Sequence, residues 1–179
     1  RYAARGDYDG LRHTSANGVR QIALLLIPAA VFTAVLAEPL TRLVYQRGAF
    51  GTPSTDEVSE ALFWFSFSLP FSGANLMLTR TFFSLQRPWF PTALAGGSLL
   101  VNLGVSLALY QPYGIAGIVI GTAVASAAMA VAQAFFLRRQ LHGFEIGRTL
   151  RAVAGILVAA ALLGVVSYGV WYALDENGA

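Results

Sequence analysis

From Ala61 to Thr79 the chain runs nineteen residues without a charge. As a helix rising about 1.5 Å per residue, that run is roughly 28 Å long, close to the roughly 30 Å of hydrocarbon in a bilayer. A backbone at that depth has no water to bond, and an α-helix satisfies its N–H and C=O groups within one segment. Four further apolar stretches accompany it. Charged residues make up 12% of the sequence, hydrophobic residues 56%, and mean hydropathy is +0.59, whereas soluble domains carry about a quarter charged residues. The expected fold is therefore all-α: a polytopic membrane helix bundle of about five transmembrane helices, over about 21–46, 56–86, 91–110, 114–140 and 147–174.

The ends of these helices sort by charge. All twelve basic residues are arginine. Arg1, Arg5, Arg12, Arg20, Arg80, Arg87, Arg138, Arg139, Arg148 and Arg151 fall at one set of alternating ends, and Arg42 and Arg47 at the other. Arginine-rich loops stay cytoplasmic. The reading is thus a cytoplasmic connecting segment over 1–20, a membrane domain over 21–174 and an extracytoplasmic loop remnant over 175–179. The first residue is Arg1, and no basic, apolar, small-residue signal pattern precedes the first span. The expectation is a piece of a longer protein.

Within the spans, Pro28 is expected to kink the first helix by removing a backbone donor. Ser54 or Thr55 is the expected cap of the second, with Asp56 and Glu57 in its first turn, where the helix dipole favours acids. Gly117, Gly121 and Ala125 recur at a spacing that lets helix backbones approach closely in lipid.

Enzyme chemistry finds little footing. Cysteine is absent, which excludes disulfides and thiolate sites. His13 and His142, both placed in loops, have no carboxylate at a ligand spacing, so no metal, cofactor or catalytic residue is expected. The basic charge comes without the aromatic-and-basic face of a nucleic-acid binder, so no nucleic-acid partner is expected. Membrane lipids are.

Polar residues inside apolar runs are the better functional candidates, since each needs a partner or water that lipid does not supply. Asn75 and Asn102 either bond between helices or line a wet path. Arg80 lies seven residues before Arg87, within snorkelling reach of the interface, and it is also the charge placed to meet an anionic cavity ligand. The substrate-cavity candidates are accordingly Arg80, Asn75 and Asn102. Phe82, Phe83, Trp89 and Phe90 fit an interfacial aromatic belt.

The blocks "ARGDYDGLRH", "IPAAV", "EPLTRLVYQRGAF" with its Arg47-Gly48-x-Phe50 ending, "ALFWFSFSLPFSGANLMLTRTFFSLQRPWFPT" and "YGIAGIVIGTAVAS" follow one another in order. Together they resemble the MurJ (MviN) lipid II flippase family, of the multidrug, oligosaccharidyl-lipid and polysaccharide exporter superfamily. The likeness covers about residues 1–145 by motif and the last helix by hydropathy. It implies helices nine to thirteen of a fourteen-helix transporter and a role in moving lipid-linked peptidoglycan precursor (lipid II) across the bacterial inner membrane by alternating access. It also implies a partner in the N-terminal lobe of the same protein. "QRPWFP" departs from the family's usual acidic-polar loop. Rival readings are another exporter of the superfamily, for a polysaccharide-linked lipid or a drug, and a membrane scaffold or anchor domain.

Overall fold

The computed structural model of the chain describes residues 8–45, 52–141 and 146–177. They form α1 (Tyr8–Val35), α2 (Ala37–Tyr45), α3 (Thr52–Ser66), α4 (Ser68–Ser84), α5 (Trp89–Gln140) and α6 (Ile146–Asn177), with no strand among the described residues. The Arg47-Gly48-x-Phe50 ending and His142 lie outside the described residues, as do Arg1 and Arg5.

Two helix pairs are single spans interrupted once. α1 gives way to α2 at Leu36, three residues before Pro39, and α3 gives way to α4 at Phe67, three residues before Pro70. The cause is the same in both. Proline has no N–H for the carbonyl four residues back and its ring crowds that carbonyl, so Val35 and Ser66 lose their helical donors. The chain stays helical through Pro28, where the sequence predicted the kink.

α5 is 52 residues long, about 78 Å if straight and more than twice the hydrocarbon thickness. It is not straight. Gly114 has φ 54° and ψ −127°, a region that glycine enters readily because it has no Cβ. The helix folds there into two arms, 89–113 and 115–140, which cross the membrane depth in opposite directions. With the interrupted pairs and α6, the described residues make five passes, as the hydropathy predicted.

Several boundaries differ from expectation. α1 begins at Tyr8, so His13 is helical rather than in a loop. α3 begins at Thr52, ahead of the expected Ser54 or Thr55 cap, and its first turn holds no acid.

The helices pack as a row: α6 lies on α1, α1 on α3 and α4, and α3 and α4 on α5, with α2 on α3. Ala23, Ile27 and Ala160 make the buried contact between α1 and α6. Leu11, Leu78, Phe82, Leu137 and Leu141 form the larger core, where α1, α4 and the end of α5 meet. Phe82 is fully buried and stacks on Phe90 at 6.1 Å, and Phe90 meets Phe136 at 5.8 Å. Phe82 and Phe90 are thus packing residues and not part of an interfacial belt. Phe83 and Trp89 are exposed, Trp89 by 81%.

α4 ends in a Schellman-type cap. Arg87 N–H donates to the Phe82 carbonyl at 3.1 Å and Gln86 N–H to the Phe83 carbonyl at 3.0 Å, which leaves Gln86 at φ 55°. A side chain in that left-handed conformation costs about 1–2 kcal/mol. Gln86→Gly is expected to raise the unfolding temperature in detergent, with a gain of up to about 1 kcal/mol once glycine's extra unfolded-state entropy is deducted. A lower unfolding temperature would contradict this account of the turn.

Candidate functional site

The two ends of the bundle differ in charge. Arg80, Arg87, Arg138, Arg139, Arg148 and Arg151 are exposed at the end where α4 stops, α5 starts and stops, and α6 starts. The opposite end, around Gly114 and the start of α3, carries Glu57 and Glu60 beside Tyr110 and Tyr113 in a hollow of about 250 Å³. Glu38 there pairs with Arg42 at 2.5 Å. Salt screens such exposed pairs, and each is worth at most about 1 kcal/mol. The asymmetry itself, rather than any one pair, is the useful electrostatic feature.

Between these ends a file of polar side chains crosses the apolar interior. Asn75 Nδ2 donates to the Ser126 carbonyl at 2.9 Å. Asn102 Nδ2 donates to Thr122 Oγ1 at 3.1 Å, and Ser106 Oγ donates to Asn102 Oδ1 at 3.0 Å. Gln133 Nε2 donates to Thr79 Oγ1 at 3.1 Å. The second arm of α5 is the common partner: α4 grips it through Asn75 and Thr79, and the first arm grips it through Asn102. Ser126 and Thr122 are four residues apart, hence on adjacent turns of one face, so the two asparagines converge on the same stretch of helix.

Close backbone approach makes the Asn102 contact possible. A Cβ on Gly121 would collide with Ser106 Oγ, and one on Gly117 with the Leu109 carbonyl. The glycine spacing therefore serves packing between the arms of one hairpin.

Arg80 stands apart. It is exposed on α4, and its guanidinium makes no hydrogen bond or ion pair with any described residue. Its chain neighbour Thr81 is buried and shares a 3.0 Å hydrogen bond with Ser15 of α1. The backbone that carries Arg80 is thereby held from behind while its side chain points outward. Of the three candidates, then, Asn75 and Asn102 are engaged between helices and Arg80 presents free donors.

A groove of about 470 Å³ lies on the other side of α4, walled by Ala23, Ile27, Val31, Phe67, Pro70 and Phe71 among others. Its walls are almost wholly apolar, so it offers van der Waals contact and no recognition of charge. Sequence reading passed over Thr79, Thr122 and Ser126. The available signal was their spacing: Thr79 is one turn beyond Asn75, and Thr122 and Ser126 are one turn apart among small residues. Arg20, read from the sequence only as one of the end charges, also packs between helices: its Nη1 donates to Asn17 Oδ1 at 3.0 Å and its Nε to Thr149 Oγ1 at 3.3 Å, tying the start of α6 to α1.

Comparison with known proteins follows the same outline. A solved lipid II flippase MurJ in an inward closed conformation superposes with a TM-score of 0.74 over 97% of this chain and 41% of that one, at 19% identity; at that identity the likeness speaks for the fold. A probable lipid II flippase MurJ of Haemophilus influenzae is 30% identical over 167 residues, 92% of this chain and 32% of that protein. One from a Synechocystis species is 25% identical over 177 residues, 97% of this chain and 33% of that protein. The chain thus spans about a third of the length of these curated relatives. It is a multi-pass membrane helix bundle, and the family model for lipid II flippase MurJ matches residues 1–178: the chain belongs to the MurJ family.

Proposed function

We propose that this chain is part of a flippase that carries lipid II, the lipid-linked peptidoglycan precursor, across the bacterial cytoplasmic membrane by alternating access. The observation that carries the proposal is the family match over residues 1–178. Such transport makes and breaks no covalent bond. It needs a basic, wet surface for a diphosphate headgroup, an apolar side for lipid tails and two lobes that rock. This chain supplies part of one lobe, and the remaining length of the relatives corresponds to the rest of that lobe and its partner.

The arginine-rich end is assigned to the cytoplasm, which puts the start of α1 inside and the Gly114 turn outside. Arg80 is the residue assigned to the anionic headgroup, because its donors are free and its backbone is anchored. Asn75 and Asn102 act behind it, setting the distance between α4 and the two arms of α5.

The test is complementation of a bacterium depleted of its own flippase by the full-length protein. Rescue by the wild type is expected, and its failure at normal membrane levels would refute the lipid II assignment. Arg80→Ala removes a charge-assisted contact worth about 1.5–3 kcal/mol, so headgroup affinity falls roughly ten- to hundredfold and growth slows or stops. Arg80→Lys retains part of the function. Normal growth with Arg80→Ala at wild-type levels would reduce Arg80 to an interfacial anchor.

A further inference from the structure

Two amide oxygens in the middle of the bundle are enclosed and accept no hydrogen bond from any described residue: Asn75 Oδ1 and Gln133 Oε1. Both belong to the α4–α5 contact. Gln133 is 0% exposed. Asn75 lies ten residues before the end cap of α4 at Leu85, and Gln133 eight residues before that of α5 at Leu141, about 15 and 12 Å along their helices. Neither oxygen reaches the surface of the bundle.

Turning the amides around does not remove the deficit. The Ser126 carbonyl can only accept, so reversing Asn75 would face two oxygens and strand a donor instead. Reversing Gln133 would let the Thr79 hydroxyl donate to its oxygen but would leave Nε2 unpaired. Each arrangement leaves one polar atom over, and an enclosed polar atom without a partner costs about 1–3 kcal/mol.

The missing partner must therefore be a donor small enough to sit between packed helices. Ala130, buried on α5, lies four residues after Ser126 and three before Gln133, so its small side chain sits on the face between the two amide contacts. The polar side chains of the contact are amides and hydroxyls, without a carboxylate. Hard divalent cations gather about six or more oxygens, whereas a buried water makes about three hydrogen bonds. Water fits this set.

We propose that water bound within the α4–α5 interface donates to Asn75 Oδ1 and Gln133 Oε1, making this interface a hydrated seam inside the membrane. The bound water completes the hydrogen bonds of the two amides, and it gives α4 and the second arm of α5 an exchangeable partner between them.

Met129 reports on the site, because it lies three residues after Ser126 and four before Gln133, on the same face of the helix. The experiment is microsecond X-ray hydroxyl labelling of the full-length protein in lipid nanodiscs, read by mass spectrometry at Met129. Strong oxidation of Met129, far above that of lipid-facing residues at equal depth, is expected. Asn75→Leu with Gln133→Leu removes both acceptors and should lower that signal severalfold. Ala130→Leu keeps both amides but fills the seam, and the same fall is expected. Labelling of wild-type Met129 at the lipid-facing background would overturn the proposal, and so would strong labelling that survives Ala130→Leu in a correctly inserted protein. If the double substitution does not accumulate, the wild-type and Ala130→Leu measurements decide.

Discussion

Phe82→Ala is expected to destabilise the bundle by about 3 kcal/mol, at the lower end of the range for burying and then deleting a phenyl ring. The lower end applies because lipid tails are as apolar as a protein core, so little transfer free energy separates a packed ring from a lipid-facing one. What remains is the cavity and its lost dispersion contacts. Phe82 sits where they are densest, among Leu11, Leu78, Leu137 and Leu141 and stacked on Phe90. Three separate pieces of chain would lose a common neighbour. Thermal unfolding of the full-length protein in detergent measures the effect, and Phe83→Ala, one residue closer to the turn and exposed, is the matched control with a loss below about 0.5 kcal/mol. Equal losses in the two variants would mean that the core is not centred on Phe82.

Gly117→Leu should be the more disruptive substitution. The arms of α5 touch so closely that even a methyl group at Gly117 would strike the Leu109 carbonyl and its Cβ, and backbone cannot rotate away as a side chain can. Overpacking costs about 1–3 kcal/mol when side chains can shift, and here they cannot, so the arms must splay near Gly114. Splaying would also break the Asn102 contact with Thr122. The expected result is protein that fails to accumulate in the membrane or, where it does, supports no growth of a flippase-depleted strain. Gly104→Leu, on the same helix with open space around it, should be tolerated. Cysteine pairs placed across the hairpin would read the splaying directly, through lost cross-linking in Gly117→Leu.

What the sequence made legible was the number of passes, which ends gather the arginines, and the hairpin turn. These follow from hydropathy, arginine placement and glycine, each of which acts through the bilayer and along one segment. Which face of each helix packs was not legible. In a soluble bundle an apolar stripe marks the buried side, but on α5 and α6 large apolar residues face the outside as well as the neighbours, since lipid and neighbour demand the same surface. Phe82 and Phe83 illustrate the difficulty: adjacent, identical and within three residues of Arg80, one is the centre of a core and the other faces outward. Asn75 and Asn102 were identifiable as residues that required partners, yet Ser126 and Thr122 could be assigned as those partners only once the rotation of each helix about its axis was known. The proline breaks were half legible. Pro39 and Pro70 interrupt their spans whereas Pro28 does not, and nothing in the sequence around the three prolines sorts them.

Those two breaks have a mechanical meaning. Val35 and Ser66, the residues whose carbonyls lose their donors, line the same groove, so the weak points of two spans lie side by side at one depth. Beyond them α2 and α3 touch each other. The two interruptions at Leu36 and Phe67 therefore stand together where the outer pair joins the rest of the bundle, α3 staying packed on α1 and α5, while α6 runs unbroken from Ile146 to Asn177 beside them.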